Sequence, residues 1–389
     1  MLRRTLLGLA VAGVLVCTPA APAATQTAWL GQPERVSDGV EYFKSTDRTL
    51  VGSTGPIAVF LLRLDAMRVR LASVHARDEI MGLEPVDSIA NRHRAIAAVN
   101  GGFFNTANGD PQFVLKEAGE LVSDAGVIKG AVILRSPPRG KTELDFDQLS
   151  ARMAVTFQAG GRDWTFPIGG VNTTRARGKL MLYTPRYHAD TDTAANGVEW
   201  VLDGKPLRVV SVRRDAGRTP IPATGNVLSF GGLDPPAPLA ALATGVTVSF
   251  NVTWTTLNGL SPRRLNSADD VVTGAGLLRL KGRVLHNWQE AETLSPQNFI
   301  NMRHPRTLIG VDDRGFIWLA AIDGRQPDRS IGMNFAELET LCDRLHLTDA
   351  LNLDGGGSTT MVIRGVVVNR PSDPSGPRPV SDAILATLR

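Results

Sequence analysis

The sequence predicts an α+β fold that is rich in β structure, with a mixed sheet and few helices. Between residues 150 and 260, short alternating runs are separated by Gly, Pro and Asn, which is typical of strands and turns. Near residue 340, apolar residues recur at helical spacing. Elsewhere, three apolar runs each end in Asn or Asp followed by glycine, as strands that lead into sharp turns do.

The first residues of the chain, 1–23, are predicted to be an export signal. They have two arginines near the start, an apolar stretch over residues 6–16 and an Ala-x-Ala cleavage site that ends at Ala23. The apolar stretch is shorter than the ~20 residues that a membrane-spanning helix needs. We therefore expect a mature chain without a membrane span that is secreted or periplasmic, exported by either the general or the twin-arginine route.

The charge balance argues against a nucleic-acid partner. The chain has 42 Lys and Arg against 38 Asp and Glu, and losing Arg3 and Arg4 with the signal leaves 40 against 38. Cys342 would be the only cysteine of the mature chain, so no intramolecular disulfide could form. The six histidines lack the spacing of a zinc site.

The domain is predicted to begin after a polar N-terminal lead-in. Residues 24–55 form this lead-in, with a short strand near residue 42, and residues 56–389 form the domain. Two strands, over residues 57–64 and 69–74, open the domain.

The next apolar strand ends at the first glycine turn. A short helix over residues 85–94 leads into a strand over residues 95–100. This strand ends at Asn100 and is followed by Gly101 and Gly102. Sites are often assembled where strands end in flexible turns, so these residues are candidates for substrate binding.

The second half of the chain opens with a strand region and a polar connection. Strands are predicted over residues 199–202, 246–252 and 271–278. The polar, irregular residues 286–302 are interpreted as a lid.

The clearest helix covers residues 335–346. Asn334 with Glu337 three residues later has the pattern of a capping box, and the apolar residues form one stripe. Cys342 lies on this stripe, which predicts a buried thiol.

A second glycine turn follows the strand over residues 350–354. Side chains alternate along a strand, so Asn352 and Asp354 share one face and two leucines share the other. Glycines weaken a strand, but they permit positive φ and let successive N–H groups surround an anion. The residues of this turn are Gly355, Gly356, Gly357 and Ser358.

Two further segments contribute charged candidates. The apolar run over residues 317–322 ends in Asp323, with Arg325 two residues later, and Arg306 precedes another strand. Arginine suits phosphate recognition because its guanidinium can donate two parallel hydrogen bonds. A hairpin, a proline-rich loop that contains Arg378 and a final strand over residues 380–388 complete the chain.

Four motifs together resemble the phosphodiester glycosidase family in order and spacing. They are NGGFF at 100–104, RHPRTLIG at 303–310, DGRQ at 323–326 and NLDGGGS at 352–358. The resemblance covers residues 90–389 and implies a secreted hydrolase that acts on a carbohydrate phosphodiester, that is, a sugar-1-phosphate diester in a glycan or cell-envelope polymer. The chain departs from the family at 274–276, where Gly-Ala-Gly replaces a glycine pair followed by proline.

Such a reaction needs a proton-transfer group and positive charge for the phosphate. The candidate catalytic residues are Asp323, Asp354, Arg306 and Arg325. The candidate substrate-binding residues are Asn100, Gly101, Gly102, Asn352, Gly355, Gly356, Gly357, Ser358 and Arg378. Sequence does not decide which Asp is the acid, the base or a nucleophile, because that depends on their separation.

Two alternatives remain beside this metal-free hydrolase. In the first, Asp323, Asn352 and Asp354 hold a divalent cation such as Ca²⁺ in a metal-dependent phosphodiesterase. In the second, the protein binds a polysaccharide or the cell wall without catalysis, although the presence of Asp323, Arg325 and Asp354 weighs against this.

Overall fold

The computed structural model describes residues 30–389, so the predicted export signal lies outside the described residues. Within the described range, strands are far more numerous than helices. The strands are β1 (Glu34–Ser37), β2 (Val40–Ser45), β3 (Val59–Leu64), β4 (Val69–His75), β5 (Ala97–Asn100), β6 (Leu115–Glu117), β7 (Glu120–Ser123), β8 (Ala125–Arg135), β9 (Glu143–Ala159), β10 (Arg162–Pro167), β11 (Gly170–Val171), β12 (Leu180–Tyr183), β13 (Val198–Asp203), β14 (Arg208–Arg214), β15 (Asn226–Phe230), β16 (Val248–Thr256), β17 (Asp270–Thr273), β18 (Leu277–Leu280), β19 (Arg283–Val284), β20 (Arg306–Asp312), β21 (Ile317–Ile322), β22 (Leu347–Asn352), β23 (Met361–Ile363), β24 (Val366–Val367) and β25 (Asp382–Leu388). The α-helices are α1 (Val86–Arg92), α2 (Ala237–Ala240), α3 (Pro262–Asn266), α4 (Trp288–Glu292) and α5 (Phe335–Arg344). No helix of the described residues is long and apolar enough to cross a membrane.

The strands form four sheets. An eight-stranded sheet has the order β1-β2-β3-β21-β20-β22-β18-β19, and a seven-stranded sheet has the order β10-β9-β8-β17-β6-β7, with β16 also paired to β9. The two five-stranded sheets have the orders β11-β12-β15-β13-β14 and β24-β23-β5-β25-β4.

The predicted β-rich α+β fold is confirmed, and two details differ. The strands pair antiparallel in three of the sheets, and the mixed character is confined to the parallel pair β11 and β12. The lead-in is also not separate from the domain. β2 pairs with β3 along its whole length, from Val40 opposite Leu64 to Ser45 opposite Val59, so it extends the main sheet.

The eight-stranded sheet is covered on both faces. Along β21, Leu319 and Ala321 belong to one apolar cluster, while Trp318 and Ala320 belong to a second cluster that includes α5. Every residue of β21 is buried. This explains why its sequence is a continuous apolar run instead of an alternating one.

The segment over residues 286–302 is not the irregular lid that the sequence predicts. It contains α4 and a π-helical turn at Pro296–Ile300, and Trp288 and Glu292 of α4 are buried. The Glu292 carboxylate accepts the Gly276 N–H at 2.8 Å, which ties α4 to the start of β18. The polar residues at this position therefore satisfy backbone groups inside the fold.

Helix α5 confirms the predicted capping box. The Asn334 side chain accepts the Glu337 N–H at 2.9 Å, and the Glu337 carboxylate accepts the Asn334 N–H at 3.0 Å. Both contacts satisfy N–H groups that a helix start leaves without partners. Cys342 is buried on the apolar side, as predicted.

Removing the cap should destabilise the protein. We expect Asn334→Ala to lower the free energy of unfolding by about 1 kcal/mol, because an alanine at this position cannot accept the Glu337 N–H. Urea denaturation followed by circular dichroism measures this change. Asn334→Asp is the matched control, since aspartate caps as well as asparagine, and equal losses in both variants would contradict the role of the cap.

Candidate functional site

The pairing of three central strands brings the sequence motifs to one end of the main sheet. Arg306, at the start of β20, is opposite Ile322, at the end of β21. On the other side of β20, Leu308 is opposite Asn352, at the end of β22. Antiparallel pairing therefore places the residues before β20 beside the residues after β21 and β22.

Asn100 connects this end of the sheet to the neighbouring five-stranded sheet. Its side-chain amide donates to the Asp354 carbonyl at 2.8 Å. Its side-chain oxygen accepts the Thr307 hydroxyl at 2.7 Å and the Thr360 N–H at 3.2 Å. Asn100 is buried, and its side-chain oxygen and its amide nitrogen both make these contacts. It therefore positions the Asp354 turn, and its predicted contact with a substrate stays a prediction.

The two glycine turns lie against each other. The Asp354 N–H donates to the Gly101 carbonyl at 3.1 Å, and the Gly356 N–H donates to the Pro305 carbonyl at 3.0 Å. Gly356 has a φ of +61°, which favours glycine. The Gly355 N–H donates to the Asp354 carboxylate at 2.8 Å.

These contacts narrow the predicted anion site at residues 355–357. The N–H groups of Gly355 and Gly356 already donate within the protein, so neither is available to a phosphate, and a contact between the Gly357 N–H and an anion stays a prediction. The glycines instead allow close packing. A Cβ on Gly356 would lie 3.0 Å from Arg325 Nη2, and a Cβ on Gly357 would lie 2.2 Å from Arg378 Nη2.

Arg306 is buried, contrary to its predicted role as a phosphate ligand. Its guanidinium donates to the carbonyls of Met333 at 3.0 Å, Phe299 at 2.6 Å and Met302 at 3.0 Å. Burial and the nearby Arg325 lower its pKa to about 9. Arg306 therefore fixes the segment before β20 and adds positive charge behind the site.

Asp323 is also occupied by protein contacts. Its carboxylate accepts the Asn369 side chain at 3.1 Å, the Arg370 N–H at 2.9 Å and the Arg329 Nε at 3.2 Å. Burial raises its pKa, and these three donors oppose the increase. Asn369 also donates to the Thr359 carbonyl at 3.0 Å. Asp323 thus ties the end of β21 to the segment after the second glycine turn.

Two guanidinium groups remain at the surface of the glycine turn. Arg325 is exposed and has no carboxylate partner among residues 30–389. Arg378 is held by Asp373, whose carboxylate accepts Nε at 2.8 Å and Nη2 at 3.1 Å. Both arginines touch the space above Gly356 and Gly357, so they can contact an anion there.

Asp354 is the carboxyl group whose pKa is shifted towards neutrality at this site. Burial raises its pKa to about 6, and Asp382 adds to the increase. The Ser358 hydroxyl, the Gly355 N–H and the positive charge of Arg378 oppose it. A carboxyl group with this pKa can exchange a proton near neutral pH.

Asn352 and Ser358 lie beneath the turn and are buried. The Asn352 amide donates to the Ala275 carbonyl at 2.8 Å and to the Leu353 carbonyl at 3.0 Å. These bonds fix the turn against the Gly-Ala-Gly segment, where a Cβ on Gly274 would lie 2.2 Å from the Asn352 carbonyl oxygen. A role in binding substrate stays a prediction for both residues.

The sequence analysis missed Asp382. Its buried carboxylate accepts the Gly102 N–H at 3.1 Å and the Ser381 hydroxyl at 2.8 Å. A Cβ on Gly101 would lie 1.9 Å from Asp382 Oδ2, so Gly101 must lack a side chain. Asp382 is the first residue of an apolar strand, and no motif surrounds it. The sequence alone therefore does not mark it as a site residue.

The residues of the predicted cation site do not form a carboxylate cluster. Among the described residues, no group of three or more His, Cys, Asp and Glu side chains is placed to hold a metal ion. The Asp323 carboxylate is already bonded to three donors. The Asn352 side-chain oxygen, the atom that would bind a cation, is buried without a hydrogen-bond partner among the described residues. The metal-dependent alternative stays a prediction.

The pKa of Asp354 should respond to its two charged neighbours in opposite directions. We expect Arg378→Gln to raise it above about 6, because a favourable positive charge is lost. We expect Asp382→Asn to lower it, because a nearby negative charge is lost. A pH titration of the carboxyl carbon by ¹³C NMR measures both shifts.

The control for these variants is Asp163→Asn, an exposed change on β10 that should leave the pKa of Asp354 unchanged. Shifts of the same sign in Arg378→Gln and Asp382→Asn would contradict this description of the site.

Comparison with known proteins supports the resemblance found in the motifs. The family model described as phosphodiester glycosidase matches residues 196–387. The N-acetylglucosamine-1-phosphodiester alpha-N-acetylglucosaminidase of Bos taurus is 38% identical over 82 residues, which are 21% of this chain and 15% of that protein. The matched part is thus a small share of the length of this relative.

Two solved structures share the fold. A hypothetical protein from Synechocystis has a TM-score of 0.73 at 24% identity, covering 91% of this chain and 63% of that one. A protein of Burkholderia pseudomallei described as exported has a TM-score of 0.71 at 24% identity, covering 86% of this chain and 74% of that one. The matched range of the family model includes Arg306, Asp323, Asp354 and Arg378. The chain therefore resembles the phosphodiester glycosidase family over residues 196–387, as its motifs predict.

Proposed function

We propose that the protein hydrolyses a glycosyl phosphodiester at the turn that carries Asp354. The observation that carries this proposal is a carboxyl group of pKa about 6 beside two guanidinium groups at a glycine turn. In this reaction, water adds to C1 of the sugar and the bond between C1 and the phosphate oxygen breaks. The phosphate leaves with the rest of the substrate as a monoester.

We assign the binding of the substrate phosphate to Arg325 and Arg378. Arg325 is exposed and Arg378 is held in place by Asp373, so one guanidinium can move to the substrate while the other is already oriented. Arg306 contributes positive charge from inside the fold, where its Nε and Nη2 donate to carbonyls. Positive charge at this position stabilises the leaving phosphate as the C1–O bond breaks.

Asp354 is the proposed general base. A phosphate monoester leaves as an anion that the arginines stabilise, so the leaving group needs no proton. The attacking water must lose a proton, and a carboxylate of pKa about 6 can accept it at neutral pH. Asp323 is assigned a structural role because its carboxylate holds the 369–370 segment.

The natural substrate is proposed to be a sugar-1-phosphodiester in a glycan or a cell-envelope polymer. The Bos taurus relative is named for an N-acetylglucosamine-1-phosphodiester, which supports this class of substrate. We also propose that the protein acts outside the cytoplasm. The basic start, the apolar stretch and the Ala-x-Ala site of residues 1–23 support export.

Replacement of Asp354 should abolish turnover without unfolding the protein. We expect Asp354→Asn to reduce kcat by about 100-fold or more, because the amide cannot accept the proton of the attacking water. The wild type should also lose activity as the pH falls through about 6, since protonated Asp354 is inactive as a base. Release of sugar from glycan sugar-1-phosphodiesters measures the rate.

The melting temperature is recorded for every variant, and the exposed change Asp163→Asn serves as the control with full activity expected. An Asp354→Asn variant that is folded and fully active would refute the general base. A wild-type protein that binds these substrates without cleaving them would favour the polysaccharide-binding alternative.

A further inference from the structure

A cavity lies along the free edge of β4, where His75 is the strand partner of Asp382. This strand is at the end of its five-stranded sheet, with β25 on its only paired side. The cavity has a volume of about 490 Å³ and lies between β4 and residues of β6, β17 and their flanking segments. Small-molecule sites typically have volumes of about 300–1,000 Å³. The cavity shares no residue with the candidate site described above.

The edge of β4 is closed to a further strand by side chains. The Leu71 N–H donates to the Ser136 hydroxyl oxygen at 3.0 Å, and the Ser73 N–H donates to Asp270 Oδ2 at 3.2 Å. The Ser136 hydroxyl in turn donates to the Leu71 carbonyl at 2.8 Å. Because these backbone groups are satisfied, the cavity is not a place for an added β-strand.

The inner wall contains a buried charged cluster. Glu117 is almost fully buried, and its carboxylate lies 2.8 Å from His75 Nδ1. It also accepts the Ser73 hydroxyl at 3.0 Å and the Arg186 Nη1 at 3.3 Å. His75 is 2% exposed, and its Nε2 has no hydrogen-bond partner among the described residues.

Asp270 forms the second buried carboxyl group of this wall. Burial raises its pKa to about 7, with Glu117 and Asp269 adding to the increase and the N–H groups of Ala118 and Ser73 opposing it. The carboxylate accepts the Ser73 N–H at 3.2 Å and the Ala118 N–H at 2.9 Å, so it is fixed in the wall of the cavity.

The lining limits the chemistry of the ligand. Asp78 and Asp269 are exposed carboxylates of the lining that can accept hydrogen bonds from a ligand, while the guanidinium groups of Arg70 and Arg186 can donate them. The Glu117 and Asp270 carboxylates lie behind them, almost fully buried and bonded to protein donors. A polyanion would meet this negative charge, and an apolar ligand would displace water from the exposed charges. No aromatic side chain other than imidazole lines the cavity among the described residues.

We propose that this edge cavity binds a neutral, hydroxyl-rich ligand, such as one sugar unit of a glycan. A sugar hydroxyl can donate to a carboxylate and accept from a guanidinium at the same time. The site is distinct from the proposed hydrolytic site and does not depend on its activity. The bound sugar unit would belong either to the glycan that contains the substrate or to an unrelated polymer.

Ligand-observed NMR tests this proposal on the full mature chain, with glucose, galactose and N-acetylglucosamine as separate probes. Ala72→Trp is the blocking variant. Ala72 is exposed and lines the cavity on the same face of β4 as Arg70, so a large ring would block its open side without removing a side-chain hydrogen bond of the fold. Arg186→Gln removes one charged donor from the wall.

We expect saturation transfer to at least one sugar in the wild type and in the Asp354→Asn variant. Ala72→Trp should abolish it, and Arg186→Gln should raise the dissociation constant about tenfold or more, the effect of one lost charge-assisted hydrogen bond. Ala243→Trp, a change at another exposed alanine, near α2, is the matched control and should bind as the wild type does.

No transfer to any of the three sugars would overturn the proposal, as would transfer that persists unchanged in both Ala72→Trp and Arg186→Gln. Loss of sugar binding in Asp354→Asn alone would assign the binding to the hydrolytic site and also overturn it. If the wild type hydrolysed no substrate, the sugar-binding result would still stand. Either proposal can therefore fail without the other.

Discussion

The side chain of Asn100 is the interaction on which the site depends. One buried amide holds Asp354, Thr307 and Thr360, which come from three different segments. A buried amide that lost any of these partners would leave a polar group without a hydrogen bond, at a cost of about 1–3 kcal/mol. The two glycine turns are therefore held in one arrangement, and Asp354 has a fixed position relative to the arginines beside it.

The charged residues at the site are of two kinds: those whose polar atoms are bonded within the protein, and those that can contact a substrate. Arg306 and Asp323 have their polar atoms engaged by the backbone and by neighbouring side chains, which fixes the ends of β20 and β21. Arg325 and Arg378 lie above the glycine turn. Preorganised positive charge of this kind stabilises an anion that forms during a reaction, because little reorganisation is needed at that moment. The glycine turn serves this arrangement by leaving room for the guanidinium groups.

Much of the fold and part of the site could be predicted from the sequence. The capping box of α5, the buried strand β21 and the glycine turns all have local signals in residue type and spacing. Asp382 has no such signal, because its contact with Gly101 and Gly102 depends on pairing between strands that are distant in sequence. The same holds for Arg306, whose role depends on carbonyl groups of a segment that folds back over it.

The proposed hydrolysis breaks the bond between the sugar carbon and oxygen, and isotope labelling tests this directly. Hydrolysis of a sugar-1-phosphodiester in H₂¹⁸O, followed by mass spectrometry of both products, locates the oxygen that comes from water. The arrangement of Asp354, Arg325 and Arg378 predicts ¹⁸O on C1 of the released sugar and none in the phosphate. Label in the phosphate would show that the phosphorus–oxygen bond is broken instead, and would contradict the account.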